Sequence, residues 1–500
     1  MAKVLFAAAG EENLGIEYLS AALKRDGHTV SLALDTRVFS DPNSFSVGFL
    51  GRLFDFRGEL LAALERLRPD LLCFSVNTSN YRWALELAAA AKAARPGLLT
   101  VFGGVHATAV PETVISEAAV DVCCVGEGDG ALPELAAAVS AGADFSRIPN
   151  LWVKTPAGVS RNAVRPPVKD LASLPFPDKA LYYDDYGWMF PGYIVLASRG
   201  CPFACTYCHN SVLGETYAAA GPYYRRRSPR DVVDELAAAK ARYAPRYVRF
   251  EDEVFTADKA WLREFLPLYA REVGLPFDCS LHPRYADPET LDLLKGAGCA
   301  VVRMGIQSLH EERRGRALNR HYTNAEAAAA IAGFRARGIF LACDNIFGLP
   351  GQDEAELRAA AEFYIANRPD YLAVHWLNYY PGTRITRAAL ASGEMDAATM
   401  AAIERGLADK DNVRGGIAYR KELVPYQAML ALVTLLPARL AGWLLRKEIF
   451  KKLPRVDPYL LMVLNRVLSR PPFDIYPERT ARRYALSVWR RLRGEPAVRA

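Results

Sequence analysis

Three of the nine cysteines, Cys201, Cys205 and Cys208, fall within eight residues in the run Ser198-Arg199-Gly200-Cys201-Pro202-Phe203-Ala204-Cys205-Thr206-Tyr207-Cys208-His209. Thiolates this close are ligands before they are anything else, and iron–sulfur clusters take them at such spacings. A four-iron cube held by three protein thiolates keeps one iron open to a small molecule, and an open position marks a catalytic rather than a structural site. A zinc knuckle or a disulfide pair are the other readings. Zinc wants four N or S ligands, and His209 abuts Cys208 too closely to complete a tetrahedron easily.

The apolar run Tyr193–Ala197 reads as a buried strand. The cysteines then lie on the loop leaving its C-terminal end, where barrel enzymes carry their chemistry. Further units repeat the pattern. Tyr247–Phe250 ends in Glu251-Asp252-Glu253, Phe277–Leu281 runs into His282 and Arg284, and Ala300–Met304 ends in Gly305-Ile306-Gln307-Ser308. Phe340–Asn345 and Tyr371–Trp376 complete six strands, each followed by a helix or a loop into one. Ser228-Pro229-Arg230-Asp231 opens a helix with a cap and a first-turn proline, and Thr323 with Glu326 forms a capping box. This unit spans 191–390.

Residues 1–140 alternate short apolar runs with helical patterns: Val4–Ala9, Thr29–Leu34, Leu71–Val76, Leu98–Phe102 and Val120–Val125. The alternation predicts a doubly wound parallel sheet, whose ligands bind at the carboxyl ends of the strands. The loops there contain Asn13-Leu14-Gly15, Ser75 and Thr78, Gly103-Gly104 with His106, and Gly126-Glu127-Gly128. Glycines let backbone approach a ligand closely, and free amides there can hold phosphate or amide groups. Between 141 and 190 patterning fades and prolines accumulate, so this stretch reads as a linker laying the first unit over the mouth of the second. Residues 391–500 read as a helical, basic region.

The cysteine loop, with Tyr207 before the last thiol, resembles the cluster loop of radical S-adenosylmethionine enzymes, and the first unit resembles the cobalamin-binding domain that precedes the radical domain in one large subgroup. The fold implied is α/β: a Rossmann-like cobalamin-binding sheet, a partial (β/α)6 barrel and a helical C-terminal region. The implied cofactors are a 4Fe-4S cluster on Cys201, Cys205 and Cys208, S-adenosyl-L-methionine and cobalamin. Tyr207 would lie beside the adenine. Glu253, with Asp252 as second choice, stands where the family holds the methionine ammonium group. Arg303 or Arg284 would meet the methionine carboxylate, and Gln307 and Ser308 the ribose. Asn13, Leu14, Gly15, Ser75, Thr78, Gly103, Gly104, His106, Gly126, Glu127 and Gly128 would line the cobalamin site. An Asp-x-His-x-x-Gly signature is absent, so no histidine is expected beneath the cobalt.

The resemblance implies a methyltransferase acting on an unactivated carbon. A radical cyclase of the anaerobic chlorophyll type is the alternative, and a non-catalytic cobalamin-binding module the third. Implied partners are a lipid, tetrapyrrole or natural-product substrate and an external electron donor such as flavodoxin or ferredoxin. At 51% hydrophobic and 24% charged, the composition is that of an ordinary globular chain. The remaining six cysteines mostly sit in apolar runs and no secretory leader is evident, so a reducing cytoplasm is expected. The net charge of +6 is concentrated after residue 438, where fifteen Lys/Arg face five Asp/Glu. Those cations are interspersed with apolar residues, which argues against a nucleic-acid groove. A bundle capping the barrel is one reading and peripheral contact with anionic lipid the other.

Overall fold

The computed structural model describes residues 1–38, 54, 56–408, 411, 413–452, 456–473 and 475–493. The first sheet begins with β1 (Lys3–Ala9), β2 (Thr29–Asp35), β3 (Leu71–Ser75), β4 (Leu99–Gly103) and β5 (Val122–Cys124), all parallel. Its order is β2-β1-β3-β4-β5, extended by two more strands. The winding reverses between β1 and β3, which opens a crevice at their carboxyl ends. Side chains of β1 alternate between two cores. Val4, Phe6 and Ala8 face a core continuous with the second unit, while Leu5 and Ala7 face the outer helices.

Those two extra strands lie within 141–190, the stretch expected to be a linker, and lengthen the first sheet. β6 (Leu151–Thr155) pairs antiparallel with β5, and β7 (Gly158–Arg161) pairs antiparallel with β6. Only beyond them does the chain cross to the second unit, through a short helix, Ala180–Tyr186. Lys179 anchors the crossing, buried between Glu12 at 2.5 Å and Glu17 at 2.9 Å.

The second unit starts with β8 (Gly192–Val195). A two-stranded ribbon of β9 (Ser198–Arg199) and β10 (Arg225–Arg226) follows, then β11 (Tyr247–Phe250), β12 (Phe277–Leu281), β13 (Cys299–Gln307), β14 (Phe340–Phe347) and β15 (Tyr371–Trp376). Six of these form an open parallel sheet in the order β15-β14-β13-β12-β11-β8. The helix Pro229–Tyr243 starts as its sequence directs: the Ser228 side chain accepts from Asp231 N, and Pro229 occupies the first turn. The capping box of Thr323 and Glu326 also forms.

Helices of the C-terminal region, Val424–Val433 and Pro458–Ser469, pack on β15. Phe473 stacks on Tyr247 at the start of β11, with ring centroids 4.3 Å apart. Other parts of the region reach the carboxyl end of β14, where Ala418 lies against Gly348, and the first unit, where the Ser487 hydroxyl donates to Thr36 at 2.8 Å. No helix among the described residues is long and apolar enough to cross a membrane.

Candidate functional site

A cavity of about 610 Å³ lies between the carboxyl ends of the two sheets. The first sheet contributes Gly15, Gly104 and the loop Gly126–Asp129; the second contributes Gly200, Tyr207–Asn210, Glu251 and Glu253. Aromatic walls come from Tyr18, Tyr217, Tyr223 and Tyr380. Two buried ion pairs tie the loop after β5 to the barrel. Arg199 grips Asp129 with both terminal nitrogens, at 2.8 and 3.0 Å, and Arg225 pairs with Glu127. The Glu127 amide also donates to the Tyr217 hydroxyl.

The cysteine loop is held by groups far along the chain. Thr206 N donates to Leu318 O at 3.1 Å, and Thr206 O accepts from Ile385 N at 3.0 Å. Cys208 N donates to Cys205 O, and Cys208 then caps the helix His209–Tyr217. The three thiols are free of disulfides, with Cys205 buried and Cys201 and Cys208 half-buried. Arg320 Nη1 lies 3.8 Å from Cys205 Sγ, and Asn210 Nδ2 lies 3.6 Å from Cys208 Sγ.

Burial, reinforced by the nearby Glu253 charge, pushes Cys201 up to about 12 and Cys208 up to about 11. Such thiols stay protonated near neutrality unless a cationic centre binds them, since a coordinating metal deprotonates its thiols outright. Three thiols with two of them already receiving donors suit a shared cluster. Among the described residues, no three His, Cys, Asp or Glu side chains converge on one point as a single ion would need. The other six cysteines are buried.

At the end of β11 the three carboxylates divide. Glu253 faces the cavity and accepts a hydrogen bond from Asn210. Glu251 is gripped by Arg249. Asp252, the second choice for a cofactor contact, turns back instead: it is 1% exposed, accepts from Ala197 N at 3.0 Å and also from the Ser198 hydroxyl. It holds the strand exit that carries the cysteine loop, so its assignment to the cofactor is corrected. Ser308 is corrected likewise, being buried with its hydroxyl accepting from His310 N at 3.2 Å.

Gln307 has φ 70°, in the left-handed region, beside a register shift between Gly305 and Gln307. Strain of this kind gathers at binding sites. Arg303 projects from β13 with Nε 3.5 Å from Asp278, and its Nη2 is buried without a hydrogen-bond partner. Arg284, the other candidate, is exposed.

Of the loops assigned to cobalamin, Gly15, Gly104, Gly126, Glu127 and Gly128 line the cavity; Asn13, Leu14, Ser75, Thr78, Gly103 and His106 do not. Asn13 caps the first helix through Ile16 N at 3.1 Å. His106 is fully buried and packed at a tilt against Tyr81, with Nε2 3.0 Å from Glu404 O and Nδ1 3.1 Å from the Thr78 hydroxyl. A carbonyl can only accept, so Nε2 carries the proton and Nδ1 accepts from Thr78. Both nitrogens are spent, which makes His106 and Thr78 a clamp between the first unit and the C-terminal region rather than cofactor contacts. Gly104, with φ 95°, backs directly onto Val76.

The histidine that does reach the cavity is His209. Its ring packs over Tyr380, its Nε2 is buried without a hydrogen-bond partner, and burial lowers it to about 4. His209 has no sequence signal beyond its place next to Cys208, and the four wall tyrosines, Tyr18, Tyr217, Tyr223 and Tyr380, share no motif.

Two family patterns match the chain. The B12 binding domain covers residues 7–136, and the Radical SAM superfamily covers 195–364. An uncharacterized methyltransferase of Pyrococcus horikoshii is 26% identical over 76% of this chain and 78% of its own. The hopanoid C-3 methylase of Methylococcus capsulatus is 25% identical over 74% and 67%. The anaerobic magnesium-protoporphyrin IX monomethyl ester cyclase of Rubrivivax gelatinosus is 24% identical over 73% of this chain, which spans 64% of the cyclase. The fold is also that of the radical S-adenosylmethionine methyltransferase TsrM of Kitasatospora setae, solved with cobalamin and a [4Fe-4S] cluster. Its TM-score is 0.67 at 18% identity, over 99% of this chain and all of that one. OxsB, a cobalamin-dependent S-adenosylmethionine radical enzyme, gives 0.66 at 14% identity over 99% of this chain and 80% of its own. The chain belongs to the cobalamin-dependent radical S-adenosylmethionine family of enzymes.

Proposed function

We propose that the protein methylates an unactivated carbon of a small molecule within the cavity between its two sheets. The observation that carries this reading is that one cavity wall holds Gly104, Gly126 and Gly128 while the facing wall holds Tyr207, Cys208 and Glu253. When bound, the cofactors supply a 5′-deoxyadenosyl radical and a methyl group carried by cobalamin; the protein supplies placement.

Cys201, Cys205 and Cys208 would hold a 4Fe-4S cluster, with Arg320 and Asn210 donating to two of the sulfurs. Glu253 offers an acceptor for an ammonium group, and Arg303 Nη2 is an unspent donor for a carboxylate. Tyr207 lines the same space and Gln307 ends the strand carrying Arg303, which suits contacts with adenine and ribose. Gly104, Gly126 and Gly128 pack their Cα against Val76, Tyr217 and Leu19, and the backbone of their loops forms a wall on which a flat macrocycle could lie. The pairs Arg199–Asp129 and Arg225–Glu127 fix the separation of the two walls, and the tyrosine walls limit water. Placement matters because a carbon radical abstracts from whatever lies nearest.

Electrons would come from an external donor such as a flavodoxin or ferredoxin. The substrate is a lipid, tetrapyrrole or natural-product intermediate, as for the relatives that methylate hopanoids and bacteriochlorophyllides. The cyclase of Rubrivivax gelatinosus supports a second outcome, oxidative ring closure on the same scaffold. Anaerobic reconstitution with cluster, cobalamin and S-adenosylmethionine, followed by mass analysis of treated extracts, separates the two. A gain of one methylene unit with 5′-deoxyadenosine supports methylation. Loss of hydrogen without added carbon supports the cyclase, and absence of 5′-deoxyadenosine overturns both.

A further inference from the structure

The helix Pro458–Ser469 is apolar on two opposite faces. Its inner face is fixed to the helix Val424–Val433, which packs on β15. Asn465 donates to Ala431 O at 2.9 Å and accepts from the Thr434 hydroxyl at 3.1 Å, and Leu461 is buried beside it. The outer face carries Leu460, Val463, Leu464, Val467 and Leu468, each between 43% and 64% exposed. That spacing places all five on one stripe. A helix apolar all round belongs in a buried setting, and here only one half of it has one. Pinned by Asn465, the helix cannot turn the outer stripe inward.

The surrounding charge indicates what covers the stripe. Between residues 439 and 470 the chain has eight Lys/Arg and two Asp/Glu. Both acids are already engaged, Glu448 by Arg358 at 3.1 Å and Asp457 by Arg414 at 2.9 Å. Arg439, Arg446, Lys447, Lys452 and Arg470 are exposed. Apolar side chains flanked by uncompensated cations complement an anionic bilayer surface, where acyl chains take the stripe and headgroups take the cations.

We propose that the protein docks on anionic lipid through the outer face of Pro458–Ser469. None of the five stripe residues lines the cofactor cavity, so the proposal stands independently of the methyltransferase reading. The purified chain is sedimented with phosphatidylcholine vesicles, with or without a third of phosphatidylglycerol. Binding is expected to the anionic vesicles, at least tenfold weaker to the neutral ones, and largely lost in about 0.5 M salt, where screening acts within about 4 Å. Leu464→Glu with Val467→Glu is expected to weaken binding at least tenfold while leaving the melting temperature unchanged, since both residues are exposed. Lys452→Glu with Arg470→Glu is expected to abolish the preference for anionic vesicles. A wild-type chain that ignores anionic vesicles overturns the proposal, as does full vesicle binding by the Leu464/Val467 variant. If the wild type fails to bind and runs as a dimer that this variant dissociates, the face belongs to a second copy of the chain.

Discussion

Arg199 meets Asp129 in a two-pronged ion pair, with Nη1 to Oδ2 at 2.8 Å and Nη2 to Oδ1 at 3.0 Å, and so bolts the loop after β5 to the strand leading into the cysteines. Arg199 also lies over the Tyr18 ring at 4.7 Å, with Glu127 3.9 Å away. Each half of the cavity is built by its own sheet, but the distance between them depends on contacts like this one.

Asp129→Asn is therefore expected to destabilise the chain by about 2–3 kcal/mol, below the usual loss for breaking a buried pair because Glu127 still partly offsets Arg199. Chemical denaturation measures that loss. In the reconstituted enzyme, 5′-deoxyadenosine formation should persist while methylated product falls at least tenfold. Equal loss of both would mean the pair does not set the separation of the walls.

Two glycines on the same wall should respond differently. At Gly104 a Cβ would stand 2.7 Å from Val76 O and 2.9 Å from Val76 N, on a backbone with φ 95°. At Gly128 it would meet only side chains, Leu19 at 3.1 Å and Cys124 Sγ at 3.6 Å. Gly104→Ala is expected to cost about 2–4 kcal/mol through strain and backbone displacement. Gly128→Ala is expected to cost less than about 1 kcal/mol and to show its effect in cobalamin retention. Thermal melting without cofactor and the absorbance of retained cobalamin read the two effects separately; a Gly104→Ala chain melting like wild type would sink the distinction.

His106→Ala should remove a clamp and leave the metal site alone. Loss of the Thr78 and Glu404 contacts and of packing on Tyr81 is expected to cost about 2–4 kcal/mol. Electron paramagnetic resonance of the cob(II)alamin form should show no nitrogen triplet on the cobalt lines before or after the change. A triplet abolished by His106→Ala would return this residue to the cofactor.

What the sequence makes legible is local. The cysteine spacing, the apolar runs of eleven strands and the capping residues at Ser228 and Thr323 each lie within a few residues, and each appears in the structure where expected. The strands β6 and β7 escaped because they are five and four residues long, with β7 partly exposed at the edge of the sheet. The contact that holds His106 is invisible to local pattern because its partner Glu404 lies 298 residues away. The choice between Asp252 and Glu253 depends on how the chain turns after Phe250, and strand periodicity stops there.

Arg320 is expected to act on the cluster through Cys205 rather than on substrate. Its Nη1 lies 3.8 Å from the sulfur, while Nη2 donates to Gly305 O. A cation at a ligand sulfur stabilises the more negative, reduced cluster, so Arg320→Met should shift the midpoint potential downward by about 50 mV. Arg320→Lys should recover most of the shift by keeping the charge. A redox titration followed by electron paramagnetic resonance reads this without turnover, and an unchanged potential in Arg320→Met would limit the residue to holding β13.

The last test uses the neighbours Asp252 and Glu253, whose side chains go opposite ways from one strand end. Asp252→Asn keeps the size but trades an acceptor of Ala197 N and the Ser198 hydroxyl for an amide that must turn one donor toward them. Leaving a buried donor unsatisfied costs about 1–3 kcal/mol, so this variant should melt earlier and hold less iron. Glu253→Gln faces open cavity, so its melting and iron content should match wild type. Its affinity for S-adenosylmethionine should fall at least tenfold, because a neutral amide loses the attraction for an ammonium group. Equilibrium binding to the reconstituted, non-turning-over protein measures that affinity. If Asp252→Asn weakens binding at full iron content while Glu253→Gln binds normally, the two carboxylates have been assigned the wrong way round.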